Sequence, residues 1–161
     1  TSVNGEFLNN GIPSERVEEI YGNLRKLQCS SKCTDDIWDM NTEDVKIDRK
    51  TRMALTYPVC PKCNAPARPN TLLFDDSLWN PSRADNQRTT INNWLGSLKG
   101  LNVHILELGT DSVDPAIGLT TTGLSEKLNA KIFRVQPKNE KNQGPEIEQG
   151  VEDYLTVLEK N

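Results

Sequence analysis

The pattern of apolar and polar positions divides the chain into a sparse first half and a strongly patterned second half. Residues 1–13 are short of apolar side chains and rich in Asn and Gly, which predicts a loop. After Ser14, the residues Val17, Ile20 and Tyr21 share one helical face, with Glu18 and Glu19 in the first turns, so the pattern predicts a short helix over 14–23 capped by Ser14. Residues 24–27 alternate and predict a short strand, and residues 53–59 predict a second. The stretch 34–59 between the cysteine pairs is acidic and irregular, with Trp38 as its expected anchor into a core. Further on, residues 71–74 (Thr-Leu-Leu-Phe) predict a buried strand, and 75–83 a loop containing Trp79. Residues 85–100 predict a helix with Ile91, Trp94, Leu95 and Leu98 on one face and Gly100 as its stop. The apolar run 103–109 predicts a strand of the kind buried on both faces of a parallel sheet. Residues 115–128 predict a helix diluted by Gly and Thr, with Pro115 in its first turn, and 131–137 another strand. Pro145 opens a last predicted helix with Ile147, Val151, Tyr154, Leu155 and Leu158 inward. Strands alternating with helices imply an α/β fold with a parallel sheet.

Composition bounds this picture. At 161 residues the chain is one domain, or one domain with a small added module. Its hydrophobic content is 35% and its mean hydropathy −0.63, low for a packed domain, so part of the chain is loop or surface that something else covers. The net charge of −4, with no basic stripe, argues against nucleic acid as a partner. No apolar run is long enough to span a membrane, and no signal or transit segment opens the chain, although a processed N-terminus would look the same. The simplest compartment is intracellular and reducing.

All four cysteines fall in two short-spaced pairs, Cys29-Ser30-Ser31-Lys32-Cys33 and Cys60-Pro61-Lys62-Cys63. Such pairs can collect four thiolates around one tetrahedral Zn²⁺. In the second pair Pro61 stiffens the turn, Lys62 offsets thiolate charge, and Asn64 can take the backbone bend that glycine often takes. Two disulfides, or four free core thiols, are the alternatives. Disulfide scaffolds are usually smaller and denser in Cys, which favours zinc. A closed four-sulfur set makes the metal structural, since catalytic zinc keeps a position open for water. Residues 24–67 then form a zinc-ribbon module inserted between 1–23 and 68–161.

Six stretches, in order, resemble the sirtuins, the NAD-dependent protein deacylases. Thr-Ser-Val-Asn-Gly-Glu-Phe (1–7) is similar to that family's T-S-N-V-D-G-x-F, and residues 11–29 resemble its G-x-x-x-E-R-V-x-E-x-H-G-S-x-x-x-L-Q-C. Residues 60–76 resemble C-P-x-C-G-G-x-A-R-P-N-x-x-x-F-G-D, and Trp79, Arg83 and Gln87 fall where a bacterial-type subfamily carries the same residues. Residues 106–116 resemble the nucleotide-contacting Gly-Thr-Ser turn, and 133–137 the strand that ends in Asn-Pro. The resemblance covers nearly all of this chain but only the C-terminal two-thirds or so of a sirtuin catalytic domain. It implies a partial Rossmann-like parallel sheet in 1–23 and 68–161, with structural zinc on Cys29, Cys33, Cys60 and Cys63. It implies Gly109, Thr110 and Ser112 at the adenosine end of NAD, at the sheet's C-terminal edge, and Gln136 where the family's ribose-binding Asn stands. It places Leu73, Phe74 and Asp75 beside a groove where an acyl-lysine peptide adds as a strand.

The departures from that pattern point away from catalysis. Tyr21 stands before Gly22 where the family has its general-base His. A phenol with a pKa of about 10 donates a proton there rather than accepting one. The single histidine, His104, lies inside an apolar strand and in no motif. The nicotinamide-end Asn and Asp reduce to Asn4, and the family's Phe-Gly-Asp becomes Phe74-Asp75-Asp76. No Gly-Ala-Gly phosphate loop is present; it would precede Thr1. Three readings follow: a non-catalytic sirtuin-like scaffold with zinc and weak or absent NAD binding; an NAD-dependent deacylase or its C-terminal portion; and a small zinc-ribbon binding module whose acidic segment 34–51 is an interaction surface. A truncated parallel sheet would leave an open edge, so a protein partner, a second copy, or residues 1–13 folded across it are expected to cover it.

Overall fold

The computed structural model describes residues 2–108 and 115–135, with the side chains of 115 and 116 excepted. The helix expected from Pro145 lies outside these residues, as do the ends of the strands expected over 103–109 and 131–137. The chain divides into two compact units, Thr1–Gly96 and Ser97–Asn161. Each is described by itself.

The first unit is built on an antiparallel sheet in the order β2-β1-β3, from β1 (Gly22–Cys29), β2 (Ile37–Asp39) and β3 (Ala67–Thr71). β1 is central. It pairs with β2 through Leu27↔Trp38 and Lys26↔Asp39, where Lys26 Nζ meets the Asp39 carboxylate at 2.5 Å. On its other side Gly22 faces Thr71 and Asn23 faces Asn70, but the next partners are Leu27 and Pro69. Residues 24–26 therefore bulge out of the β1–β3 ladder. The bulge finds other partners: Leu24 N–H donates to Val3 O at 2.8 Å, and Arg25 N–H to Asn23 Oδ1 at 2.7 Å. Gly22 has a φ of +83°, and a Cβ there would sit 2.0 Å from the Asn70 carbonyl oxygen, so only glycine lets the two backbones meet.

Residues 14–23 do not form the expected helix. A 3-10 turn covers Ser14–Arg16 only, and Val17 is already extended at φ −122° and ψ 128°. The extended run is held from a distance: Glu19 N–H donates to Gln87 Oε1 at 3.0 Å, on a helix 68 residues away. The loop expected over 1–13 contains a four-residue helix, α1 (Glu6–Asn9). The strand expected over 24–27 is longer, and that over 53–59 is reduced to isolated bridges, Ile47↔Ala54 and Val59↔Pro66. Trp38 is half-buried on β2. The run 71–74 is not a buried strand either. β3 ends at Thr71, and Leu73 and Phe74 stand fully or largely in solvent. β3 also pairs antiparallel with β1 and takes no part in a parallel sheet.

α2 (Ser82–Ser97) begins and ends three residues before the expected helix, with Ile91, Trp94 and Leu95 half-buried and Gly100 in the turn beyond at φ +82°. Arg16 stacks its guanidinium 4.5 Å over the Trp94 ring. The apolar interior of this unit is small: Val17, Leu27, Cys29, Cys60 and Ala84. It shares its buried volume with Glu19, Asn23, Gln28, Asn70 and Thr71. Buried amides need partners, and here they bond one another. Asn70 Nδ2 donates to Gln28 Oε1 and to Asn80 O, both at 2.8 Å, while Gln28 Nε2 donates to Leu78 O at 2.7 Å.

The second unit is a parallel β-α-β arrangement, as the alternation implies. β4 (His104–Leu108) and β5 (Lys131–Val135) pair in parallel, His104↔Lys131 through Leu108↔Val135, with α3 (Pro115–Leu128) between them in sequence. Ile117, Leu128, Ala130 and Val135 are buried. Glu107 is buried as well, its carboxylate accepting from Thr121 Oγ1 at 2.7 Å and from Arg134 Nε at 3.3 Å. β4 is not covered on both faces among the described residues, because His104, Leu106 and Leu108 are exposed. No helix among the described residues is long and apolar enough to cross a membrane.

Candidate metal centre and its surroundings

Cys29 closes β1 and Cys33 follows its turn; Cys60 and Cys63 flank a second turn that leads into β3. Both turns use the left-handed conformation, Lys32 at φ +50° and Asn64 at φ +57°, the latter where the sequence places the bend. Asn64 N–H donates to Cys60 O at 2.9 Å, and Cys60 N–H to Ala65 O at 2.8 Å. The two turns thereby face each other across Ser30 Oγ, which donates to Pro66 O at 2.6 Å.

The four Sγ atoms all lie within 4.8 Å of one another, with Cys29 and Cys63 at 3.6 Å and Cys33 and Cys60 at 3.5 Å. Disulfide sulfurs sit at about 2.05 Å, so none of these is bonded. Tetrahedral zinc–sulfur bonds of about 2.3 Å would set sulfurs about 3.8 Å apart. The cage has that size. Cys29 and Cys60 are buried, Cys33 and Cys63 exposed.

The electrostatics of the cage fit a dication. The Cys29 thiol is lowered to about 6, first by the Cys33 backbone N–H, against the cost of burial, with help from the Ser31 N–H and the neighbouring thiols. Cys60 is lowered too: burial opposes its ionisation, but the Lys62 and Cys63 backbone N–H groups outweigh it. Cys33 is pushed far the other way by its hydrogen bond with Cys63, by burial and by the charge on Cys29. Four thiols this close cannot all ionise without a cation among them, and a bound metal reverses that balance. Lys62 adds one positive charge nearby, paired with Asp36 at 2.7 Å and bonded to Thr34 Oγ1 at 2.9 Å. Asp36 lowers and Lys62 rises for that reason. The set could hold a metal ion such as zinc, which would cross-link the two turns, and its four protein ligands leave no position for a reacting group.

Sequence reasoning did not foresee a second polar constellation, at the start of β1. Glu19 is buried, paired with Arg83 of α2, and accepts from Asn23 Nδ2 at 2.6 Å. Arg88 Nε reaches the neighbouring Glu18 at 2.9 Å. Glu19 and Asn23 stand four apart, and Arg83 and Gln87 four apart on α2; those matched spacings were the available signal. Tyr21 lies within this region, half-buried, its carbonyl accepting from Leu72 N–H at 3.0 Å. A cavity of about 320 Å³ opens beside Glu19, lined by Gly5, Phe7, Ile12, Arg16 and Val17 among others. Asn4 is exposed, and its Oδ1 accepts from Glu6 N–H at 3.2 Å.

From β3, Arg68 grips Asp76 with two hydrogen bonds, Nη1 to Oδ1 at 2.8 Å and Nη2 to Oδ2 at 2.5 Å. Asp76 also accepts from Leu73 and Leu78 N–H, so it closes the 72–78 loop, and its carboxyl is lowered to about 2, first by Arg68. Leu73, Phe74 and Asp75 project from that loop into solvent, with Asp75 at φ +53°. His104 is exposed on β4, its ring edge-on to Phe133 at 5.5 Å. Gly109, Thr110, Ser112 and Gln136, the residues expected at NAD, lie outside the described residues.

No protein-family model matches the chain. Over 85 residues it is 25% identical to the "NAD-dependent deacetylase sir2E" of Dictyostelium discoideum. The chain is similar to a sirtuin. That stretch is 47% of this chain and 25% of the relative, so the chain spans about a quarter of the protein it matches.

Proposed function

We propose that this chain is a zinc-held, sirtuin-like scaffold that binds protein and does not turn over NAD. The observation that carries the reading is Tyr21 at the position before Gly22. The sirtuin pattern has its general base there, and removal of a ribose proton calls for a group that is neutral and accepting near pH 7. A phenol is not such a group, and the chain's single imidazole, His104, lies on β4 and in no motif. In this reading the four-cysteine site supplies folding free energy, and the sheet around it presents surface to a partner or to a second copy. A partial Rossmann-like arrangement of the second unit belongs to the same proposal, supported by the parallel pairing of β4 with β5.

The relative's name supports a second reading, an NAD-dependent deacylase or part of one. One assay separates the two. The purified chain is incubated with NAD and an acetyl-lysine peptide, and released nicotinamide is measured for the wild type and for Tyr21→His. No turnover by the wild type is expected, since loss of a general base costs about 10² to 10⁴ in rate. NAD-dependent deacetylation by the wild-type chain would sink the scaffold reading.

A further inference from the structure

Between the two cysteine turns the chain makes a small hairpin that none of the chemistry above uses. Ile47 bridges Ala54, Leu55 N–H donates to Lys46 O at 2.7 Å, and Asp48 N–H to Met53 O at 2.9 Å. Asp48 closes the tip: its carboxylate accepts from Lys50 N–H at 2.8 Å and its carbonyl from Arg52 N–H, also at 2.8 Å. Thr56 ties the base, with Oγ1 donating to Asp44 O at 2.8 Å and accepting from Lys46 N–H at 2.9 Å. The hairpin is thus fixed by its own hydrogen bonds.

What it presents is unusual for this chain. Residues 46–52 carry Lys46, Arg49, Lys50 and Arg52 against the single carboxylate of Asp48, in a protein whose net charge is −4. All four cations are exposed, and none has an ion-pair partner among the described residues. Beside them Met53, Leu55 and Tyr57, at every second position, are 67%, 67% and 62% exposed. Lys46 lies opposite Leu55 across the hairpin, its carbonyl accepting from the Leu55 and Thr56 N–H groups at 2.7 and 3.4 Å. Exposed cations next to solvent-facing apolar side chains form an interaction surface.

We infer that the 46–57 hairpin docks an acidic, amphipathic segment of a partner protein. Charge complementarity selects an acidic partner. The apolar row selects protein over nucleic acid, whose phosphates would satisfy the cations and leave Met53 and Leu55 without contacts. The inference deepens the scaffold reading by naming what the scaffold holds, and its test is independent of NAD chemistry.

The test uses the full chain, zinc-loaded, and a fluorescein-labelled helical peptide with Leu on one face and Glu on the other. Fluorescence anisotropy should report saturable binding. Lys46→Glu/Arg49→Glu/Lys50→Glu should weaken it at least about tenfold at about 0.1 M salt and flatten its salt dependence. Arg52 is left in place because its φ of +57° makes it part of the turn. Met53→Ser/Leu55→Ser should weaken binding by a similar factor with the salt dependence kept. Zinc content and circular dichroism of both variants should match the wild type, since every changed side chain is exposed. Equal binding by the charge-reversed variant, or no binding by the wild type, overturns the inference. So does tighter binding of a short DNA duplex than of the peptide. Self-association of the wild type that the same reversals abolish, without peptide binding, would assign the surface to a second copy instead.

Discussion

Replacing Gly22 by Ala tests how β1 and β3 are joined. Gly22 sits at φ +83°, and an added Cβ would lie 2.0 Å from Asn70 O and 2.9 Å from Asn70 C. Gly11 provides the control, because it has nearly the same φ, +84°, with nothing within 4 Å of its Cβ position. Ala in the left-handed region costs about 1–2 kcal/mol at either site. Only Gly22→Ala adds the clash, which must push β3 away by more than an ångström to restore an ordinary contact. Overpacking of that kind costs about 1–3 kcal/mol. The buried Asn70 that would move also holds Gln28 and Asn80. Gly22→Ala should therefore be less stable than Gly11→Ala by about 2 kcal/mol, a shift of roughly 1 M in urea midpoint. Trp38, Trp79 and Trp94 all lie in the first unit, so tryptophan fluorescence follows its unfolding. Equal midpoints for the two variants would refute the close approach of the strands.

Zinc should copurify with the reduced chain, and Cys60→Ser should lose it together with the fluorescence of a folded first unit; metal analysis that finds no ion in the fresh wild type contradicts the cage. Arg83→Met should leave Glu19 buried without its partner and cost about 3–5 kcal/mol, whereas Glu19→Met/Arg83→Met should cost much less than the sum of the single changes; additive losses in a urea double-mutant cycle would show that the pair does not couple. Asp76 is held below its ordinary value of 3.8, at about 2, so it stabilises the fold above pH 3.8, and that contribution is lost as the pH falls through about 2. Asp76→Asn should thus lose stability at neutral pH and converge with the wild type in acid, and an NMR titration of the Asp76 carboxyl should show a midpoint near 2; a midpoint at the ordinary value would remove the Arg68 clamp from the account.

The local signals in this chain were carried by spacing. The four cysteines could be read as one site because each pair needs only a tight turn to converge, and Asn64 takes the left-handed conformation that such a turn requires. The β-α-β run of β4, α3 and β5 was equally legible, since Pro115 and the apolar periods that define those elements are local properties. Where the reading failed, distant residues decided. Val17, Ile20 and Tyr21 have helical spacing, yet Gln87 and Arg83 of α2 hold that stretch extended through Glu19. The run 71–74 is apolar enough for a buried strand, but the Arg68–Asp76 clamp bends it off β3 and leaves Phe74 in solvent. Antiparallel pairing of β3 with β1 rests on the missing side chain of Gly22, which brings one backbone against another, and no pattern within either segment encodes that choice. The sulfur chemistry and the second unit's alternation are written in the order of the residues. The pairing of β1 with β3 and the buried polar network exist only once segments far apart in sequence meet, because hydrogen bonds and ion pairs made across 40 to 70 residues outweigh propensities of a few tenths of a kcal/mol per residue.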